Sequence, residues 1–306
     1  MNEQQRLYLD WNATAPVMEP VWQAMSEAIR QVPGNASSVH REGQAARAVV
    51  ERARRAVAAA IHAPSQAVIL TGGATESNNQ VLRDHVETTT EPYIISSAVE
   101  HPSVLEVVEK LGHEGVKTAI WPVDQKGRLD LEWLDDRLEE GATLVSVMWA
   151  NNEMGNIYPV EAIADKVHQA GALLHVDGTQ ALGRIPVDFE SSGVDLMTLS
   201  FHKMGGPKGI GTIVVREGLK VGALLAGGHQ ERGRRPGTEN VPAAAGLEAA
   251  ARELKGSLQD WNRTLQGHRQ AFTESLEGAV EDVEFRGDVE RQLPNTVNAA
   301  FEGVDG

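Results

Sequence analysis

Residues 200–209 read Ser200-Phe201-His202-Lys203-Met204-Gly205-Gly206-Pro207-Lys208-Gly209. An apolar run at 195–199 precedes this stretch and a second, 211–215, follows it. Both read as buried strands. Lys203 therefore sits in a Gly/Pro-rich turn at a strand end, where a side chain reaches a cleft. Beside Ser200 and His202, its amine suggests a nucleophile held near an anion. The plainer alternative is a solvated loop lysine.

The same grammar extends toward the N-terminus. Val68-Ile69-Leu70 reads as a buried strand, and Thr71-Gly72-Gly73-Ala74-Thr75-Glu76-Ser77-Asn78-Asn79 follows it. A strand, then glycines, then Thr and Ser opening a helix is a way to hold phosphate: backbone approaches the ligand, free N–H groups point at it, and the helix dipole favours negative charge. A capping turn is the alternative. It is neither of the glycine-rich nucleotide motifs. Further strands are expected at 93–96, 118–123, 143–148 and 172–177, with helices opening at Glu100-His101-Pro102-Ser103 and over 130–138 and 159–170. His175 alternates with Asp177, so a metal pair is conceivable, but no third ligand has metal-site spacing.

Strand and helix thus alternate over 68–215, which indicates an α/β fold with a mostly parallel sheet covered on both faces. In such sheets ligands bind beyond the carboxyl ends of the strands. Thr75, His101, Asn152, Asp177 and Lys203 all fall at or just after those ends. A phosphate cup, a ring-sized polar cluster, an acid and an amine are together what pyridoxal 5′-phosphate (PLP) requires.

Outside this core, a helix is expected from Ser37 or Ser38, both good caps. Its apolar face is Ala45, Val49, Ala53, Val57, Ala60 and Ile61, and Arg47, Arg52, Arg54 and Arg55 form its wet or semi-wet side. The basic loop 227–240 reads as an anion site, a subunit contact or a solvated loop. An Ala-rich helix is expected over 241–254, a boundary near Lys255-Gly256-Ser257, and a second helix over 258–276. The stripe Leu258, Trp261, Leu265, Phe272 and Leu276 reads as core packing. Strands at 283–285 and 296–301 suggest a smaller domain.

Composition narrows the partners. The 306 residues carry 28 Lys+Arg against 43 Asp+Glu, a formal charge of −15. That disfavours nucleic acid and anionic membrane surfaces. No apolar run approaches a membrane span, and residues 1–5 lack a signal-peptide pattern, so a soluble cytoplasmic protein is expected. Cysteine is absent, which removes disulfides, thiolate metal sites and a cysteine nucleophile from these residues.

From Tyr8 onward the sequence resembles the nitrogen-fixation type cysteine desulfurases of the class V aminotransferase group. The resemblance is carried by Tyr8-Leu9-Asp10 with Asn12-Ala13-Thr14, Ser37-Ser38-Val39-His40, Gly73-Ala74-Thr75-Glu76-Ser77-Asn78-Asn79, Glu100-His101-Pro102-Ser103, Asn151-Asn152-Glu153-Met154-Gly155, His175-Val176-Asp177-Gly178-Thr179-Gln180, Ser200-Phe201-His202-Lys203 and Arg235-Pro236-Gly237-Thr238-Glu239-Asn240.

The resemblance implies a PLP fold type I homodimer with a large domain, 15–255, and a small one, 1–14 plus 256–306. Lys203 would form the Schiff base and Asp177 would pair with the pyridinium nitrogen. His101 would stack on the ring and assist proton transfer, and Asn152 and Gln180 would contact the phenolic oxygen side. Gly73, Ala74, Thr75, Ser200 and His202 would form the phosphate site, with Thr238 reaching it from the partner subunit. Lys208 would be a bystander. No metal is implied. The family converts L-cysteine to L-alanine and passes sulfur as a persulfide to a protein thiolate, for iron–sulfur or other thio-cofactor assembly, through an acceptor or scaffold protein. The family's chain continues beyond this match, through a loop bearing the catalytic cysteine and an arginine for the substrate carboxylate, so the small domain is expected to be incomplete and the chain not competent alone. A PLP-dependent lyase or transferase needing no thiolate, and a non-catalytic PLP-binding dimerisation remnant, are the competing readings.

Overall fold

In the computed structural model, which describes residues 7–304, the apolar runs form one seven-stranded sheet. Its strands are β1 (Val68–Thr71), β2 (Tyr93–Ser97), β3 (Lys117–Trp121), β4 (Leu144–Met148), β5 (Leu173–Asp177), β6 (Leu196–Ser200) and β7 (Gly211–Val215). Their order is β1-β7-β6-β5-β4-β2-β3. All run in the same direction except β7, which is antiparallel to β1 and β6. Every residue of β1, β2, β4, β6 and β7 is buried, as expected of strands covered on both faces. β3, at one edge, is open to solvent along most of its length and buries only Trp121.

The helices are α1 (Glu19–Gln31), α2 (Arg41–Ala60), α3 (Ala74–Thr88), α4 (Pro102–His113), α5 (Leu131–Glu139), α6 (Val160–Gln169) and α7 (Val241–Ala279). Successive strand side chains serve opposite faces. Ile95, Val145, Leu174 and Val176 join the large core with α2, α6 and α7, while Ile94 and Leu144 join Leu82, Val104 and Val108 beneath α3 and α4. A short antiparallel pair, β8 (Val283–Phe285) and β9 (Ala299–Phe301), follows α7.

Five expectations are corrected. The helix over 41–60 starts later than Ser37 or Ser38, and His40 caps it by accepting from the Gly43 amide. Arg54 is not on a wet face: it is 4% exposed. Its position between Val50 and Ala58, four residues either way, puts it on the buried side. There it meets Glu231 in a two-pronged ion pair of 2.6 Å on each prong. The two helices expected over 241–254 and 258–276 are one, because α7 runs unbroken for 39 residues. The composition shift there marks a change of surroundings. Leu247, Ala250, Ala251 and Leu254 are buried, whereas Trp261, Leu265 and Leu276 are half-buried and Phe272 is exposed, so that stripe is not core. The last strand is also shorter than expected, since Thr296 is taken up by a hydrogen bond from the Asn12 amide, 2.9 Å.

Candidate active site

The carboxyl ends of β1, β2, β4, β5 and β6 open on one cavity of about 1690 Å³. Each wall is built by the residues that follow a strand. After β1, Gly72 and Gly73 lead into the N-terminus of α3. Gly73 has φ +147° and caps the helix without a side-chain hydrogen bond. The first N–H groups of a helix have no partner within it, so this turn presents donors to the cavity. A Cβ on Gly211 would lie 2.7 Å from the Gly73 Cα, so the turn lies directly on β7. Ala74 and the exposed Thr75 continue the rim. Glu76 holds the turn from outside, accepting from the Gly72 amide at 3.0 Å and from Arg235 at 2.9 Å.

After β2, His101 caps α4. Its Nδ1 accepts from the Ser103 amide at 3.1 Å and meets the Ser103 hydroxyl at 2.9 Å. With Nδ1 accepting from a backbone N–H, the neutral ring carries its proton on Nε2. Burial, then the Lys203 charge, lowers the His101 pKa, which favours that neutral form.

Asp177 ends β5 and is 7% exposed. One carboxylate oxygen accepts from the Thr179 amide at 2.9 Å and the other from the Asn78 side chain at 2.8 Å. The same Asn78 nitrogen donates to Ser103 at 2.9 Å. Acid and histidine thus belong to one chain of contacts, Asp177–Asn78–Ser103–His101. His175, two residues back, is fully buried with its ring nitrogens on Ser146 and Thr198, at 2.8 and 3.1 Å.

After β6, Ser200 and His202 flank the cavity and Lys203 projects its amine into it. The His202 Nδ1 contacts the Thr14 hydroxyl at 3.0 Å. Burial, reinforced by Lys203, Lys208 and Arg184, brings its pKa down to about 4, so it is neutral at pH 7. Burial also lowers the Lys203 pKa, against the pull of Asp177. That raises the share of free amine, the nucleophilic form. Lys208 is exposed on the rim.

The N-terminal segment closes one side. Asn12 donates to the Asn152 carbonyl at 3.1 Å and accepts from Asn295 at 2.8 Å. Its own carbonyl accepts from Gln180 at 2.9 Å. Asn152 and Gln180 both line the cavity. Every expected site residue is thereby brought together except Thr238, which is exposed and lines a separate cavity of about 260 Å³.

A buried acid, a neutral histidine, an amine with lowered pKa and a glycine-opened helix start form a donor set that suits an aldehyde-bearing, protonatable ring with a phosphate arm. PLP has those groups, so the residues present fit it. Sequence reasoning gave no role to Ser103, and took Asn78 only as part of the turn after β1. Their signal was positional: each stands near the start of a helix that opens at the cavity.

The chain belongs to the class-V aminotransferase family, whose pattern it matches over residues 7–306. It is 42% identical over 303 residues to a cysteine desulfurase of Sinorhizobium fredii, covering 98% of this chain and 78% of that protein. It is 37% identical to the cysteine desulfurase NifS of Azotobacter vinelandii, covering 98% and 75%. A solved NifS-like protein superposes with a TM-score of 0.95 at 35% identity, over 98% of this chain and 83% of that one. Within the family, the enzyme class is therefore cysteine desulfurase and the architecture is PLP fold type I.

Proposed function

We propose that this cavity binds PLP covalently through Lys203 and acts on L-cysteine, releasing L-alanine. The observation that carries this reading is the placing of the Lys203 amine and the buried Asp177 carboxylate at the ends of adjacent strands, facing a glycine-opened helix start. When bound, the cofactor supplies the electron sink for bonds broken on the substrate.

The protein's own groups do the rest. Asp177, fixed by Asn78 and Thr179, would pair with the ring nitrogen and keep it protonated. The Thr75 and Ser200 hydroxyls, His202 and the amides at the start of α3 would hold the phosphate. Asn152 and Gln180 would serve the phenolic oxygen. His101 carries a proton on Nε2, its Nδ1 being occupied. Sulfur leaves to a thiolate, the form of cysteine that is nucleophilic. The thiolate attacks the substrate sulfur, the carbon–sulfur bond breaks, and the carbon takes a proton. These 306 residues contain no cysteine, so in this reading the thiolate comes from a cysteine outside them.

The reading includes a homodimer in the cytoplasm, with a large and a small domain divided near residue 255. Thr238, exposed and outside its own chain's large cavity, would serve the partner's site. Leu9, Trp11, Trp22 and Ile29, at 72, 50, 48 and 64% exposure, supply apolar surface for such a contact.

The test is alanine release from L-cysteine by the purified chain with PLP, with and without a cysteine-bearing acceptor peptide. Alanine should rise with the peptide. Pyruvate in place of alanine, or alanine formed at one rate whatever the peptide concentration, would contradict the proposal and favour a lyase that needs no thiolate.

A further inference from the structure

Arg184 follows β5 in the turn that leaves the cavity, and it is 4% exposed. Its guanidinium meets only neutral oxygens. It donates to the Gln180 carbonyl at 3.1 Å, the Gln180 side-chain oxygen, the Trp11 carbonyl at 3.3 Å and the Lys203 carbonyl at 3.2 Å. Among the described residues no carboxylate pairs with it. Burying a cation without a counter-charge is costly, and burial lowers the Arg184 pKa to about 10.

The contacts show what is gained. A guanidinium has donors only, so the side-chain oxygen of Gln180, and not its nitrogen, must face Arg184. The Gln180 nitrogen is thereby turned away. It gives one proton to the Asn12 carbonyl and keeps a second donor beside the cavity it lines. The Lys203 carbonyl is gripped at the single helical turn 201–204, which ends at Gly205 with φ +90°. Arg184 itself does not line the cavity.

We propose that Arg184 is a positioning residue: from behind the cavity it sets the Gln180 amide, holds the Lys203 turn and ties both to the N-terminal segment, keeping an unpaired positive charge on the carbonyl of the residue that bears the amine. The inference rests on Lys203 being the reactive amine of the reading above. The groups facing that amine are Asp177 from β5, Asp10 from the N-terminal segment, the neutral His202, His101 and Arg184. Burial favours the free amine first, the two carboxylates oppose it, and Arg184 acts with burial.

The experiment follows acetylation of Lys203 in the cofactor-free chain from pH 6 to pH 11 by peptide mass spectrometry, with exposed Lys208 as the internal standard. Arg184→Met should move the Lys203 midpoint upward, cutting its relative labelling near pH 8 by roughly tenfold, the size of a one-unit shift. Arg184→Lys, which keeps the charge, should restore much of it. Gln180→Glu sets a carboxylate against the intact guanidinium and should shift the midpoint in the same direction, which keeps the test decisive if Arg184→Met does not fold. A wild-type midpoint in every folded member of this set would overturn the proposal. Borohydride trapping of PLP on the unsubstituted chain reads the role of Lys203 separately, so the two failures are distinguishable.

Discussion

The Asn78 side chain donates to the Asp177 carboxylate at 2.8 Å from the first turns of α3. The acid at the end of β5 is thus fixed by the same helix whose N-terminus follows Gly73, the turn proposed to hold phosphate. The Ser103 hydroxyl takes the same amide at 2.9 Å and passes the contact to His101. Asn78→Ala should leave the Asp177 carboxylate held by the Thr179 amide alone. A hydrogen bond to a charged group contributes about 1.5–3 kcal/mol, so PLP should bind roughly 10- to 100-fold more weakly. Equilibrium dialysis of PLP checks this, and an unchanged affinity would show that Asp177 needs no such support.

Arg54 and Glu231 form a second constraint on the cup. Glu231 also accepts from the Leu70 amide at 2.9 Å, so the turn at residues 230–233 is fastened to β1 just before Gly72. Removing one member of a buried pair strands the other, at about 3–5 kcal/mol. Glu231→Ala should lower the melting temperature markedly. Arg54→Leu combined with Glu231→Leu should recover part of the loss in the same thermal scan. Equal loss in the single and double variants would mean that the pair is not what fastens the turn.

Glu100 gives a pH dependence with a definite sign. Burial is the main cause that raises its pKa to about 8, and the Ser97 hydroxyl and the Met148 amide, the latter at 2.7 Å, only partly oppose it. An unfolded glutamate titrates near 4.3. Between those values the folded chain holds a proton that the unfolded chain has lost, so this group makes stability fall as pH rises from about 4.3 to 8. Below that window it contributes no slope. Glu100→Gln copies the protonated shape and should flatten this part of the stability profile, with the largest gain at its alkaline end. Denaturant midpoints across pH 5–9 measure it, and parallel profiles for the two proteins would contradict the assignment.

Gly256 tests the unbroken helix. A Cβ there would meet nothing within 4 Å, and the residue is helical and exposed. Gly256→Ala should therefore stabilise the chain by about 0.5–1 kcal/mol through helix propensity. Thermal unfolding reads this directly. A loss of stability would restore the break expected from the sequence at this place.

The sheet was legible because its strands are short apolar runs, β1, β2, β5 and β6 closing on or beside Gly, Ser or Asp, and the cavity followed from the common direction of the parallel strands. That Lys203, His101, Asn152 and Asp177 line one cavity was legible for the same reason, since they stand at or just past strand ends. Contacts that span the chain were not. Glu231 lies 177 residues from Arg54 and Asn78 lies 99 from Asp177, and no local period signals either pairing. The run at 255–257 misled because glycine weakens a helix by an amount that packing of the Ala-rich half outweighs. The stripe from Leu258 to Leu276 has helical spacing, but spacing fixes a common face and not whether that face is covered.

The most direct measurement is borohydride reduction of the chain with PLP, followed by peptide mapping. A pyridoxyl group should appear on Lys203, and Lys203→Ala should abolish it while phosphate-side contacts remain. Label on Lys208, or retention of the label in Lys203→Ala, would contradict the assignment of this cavity.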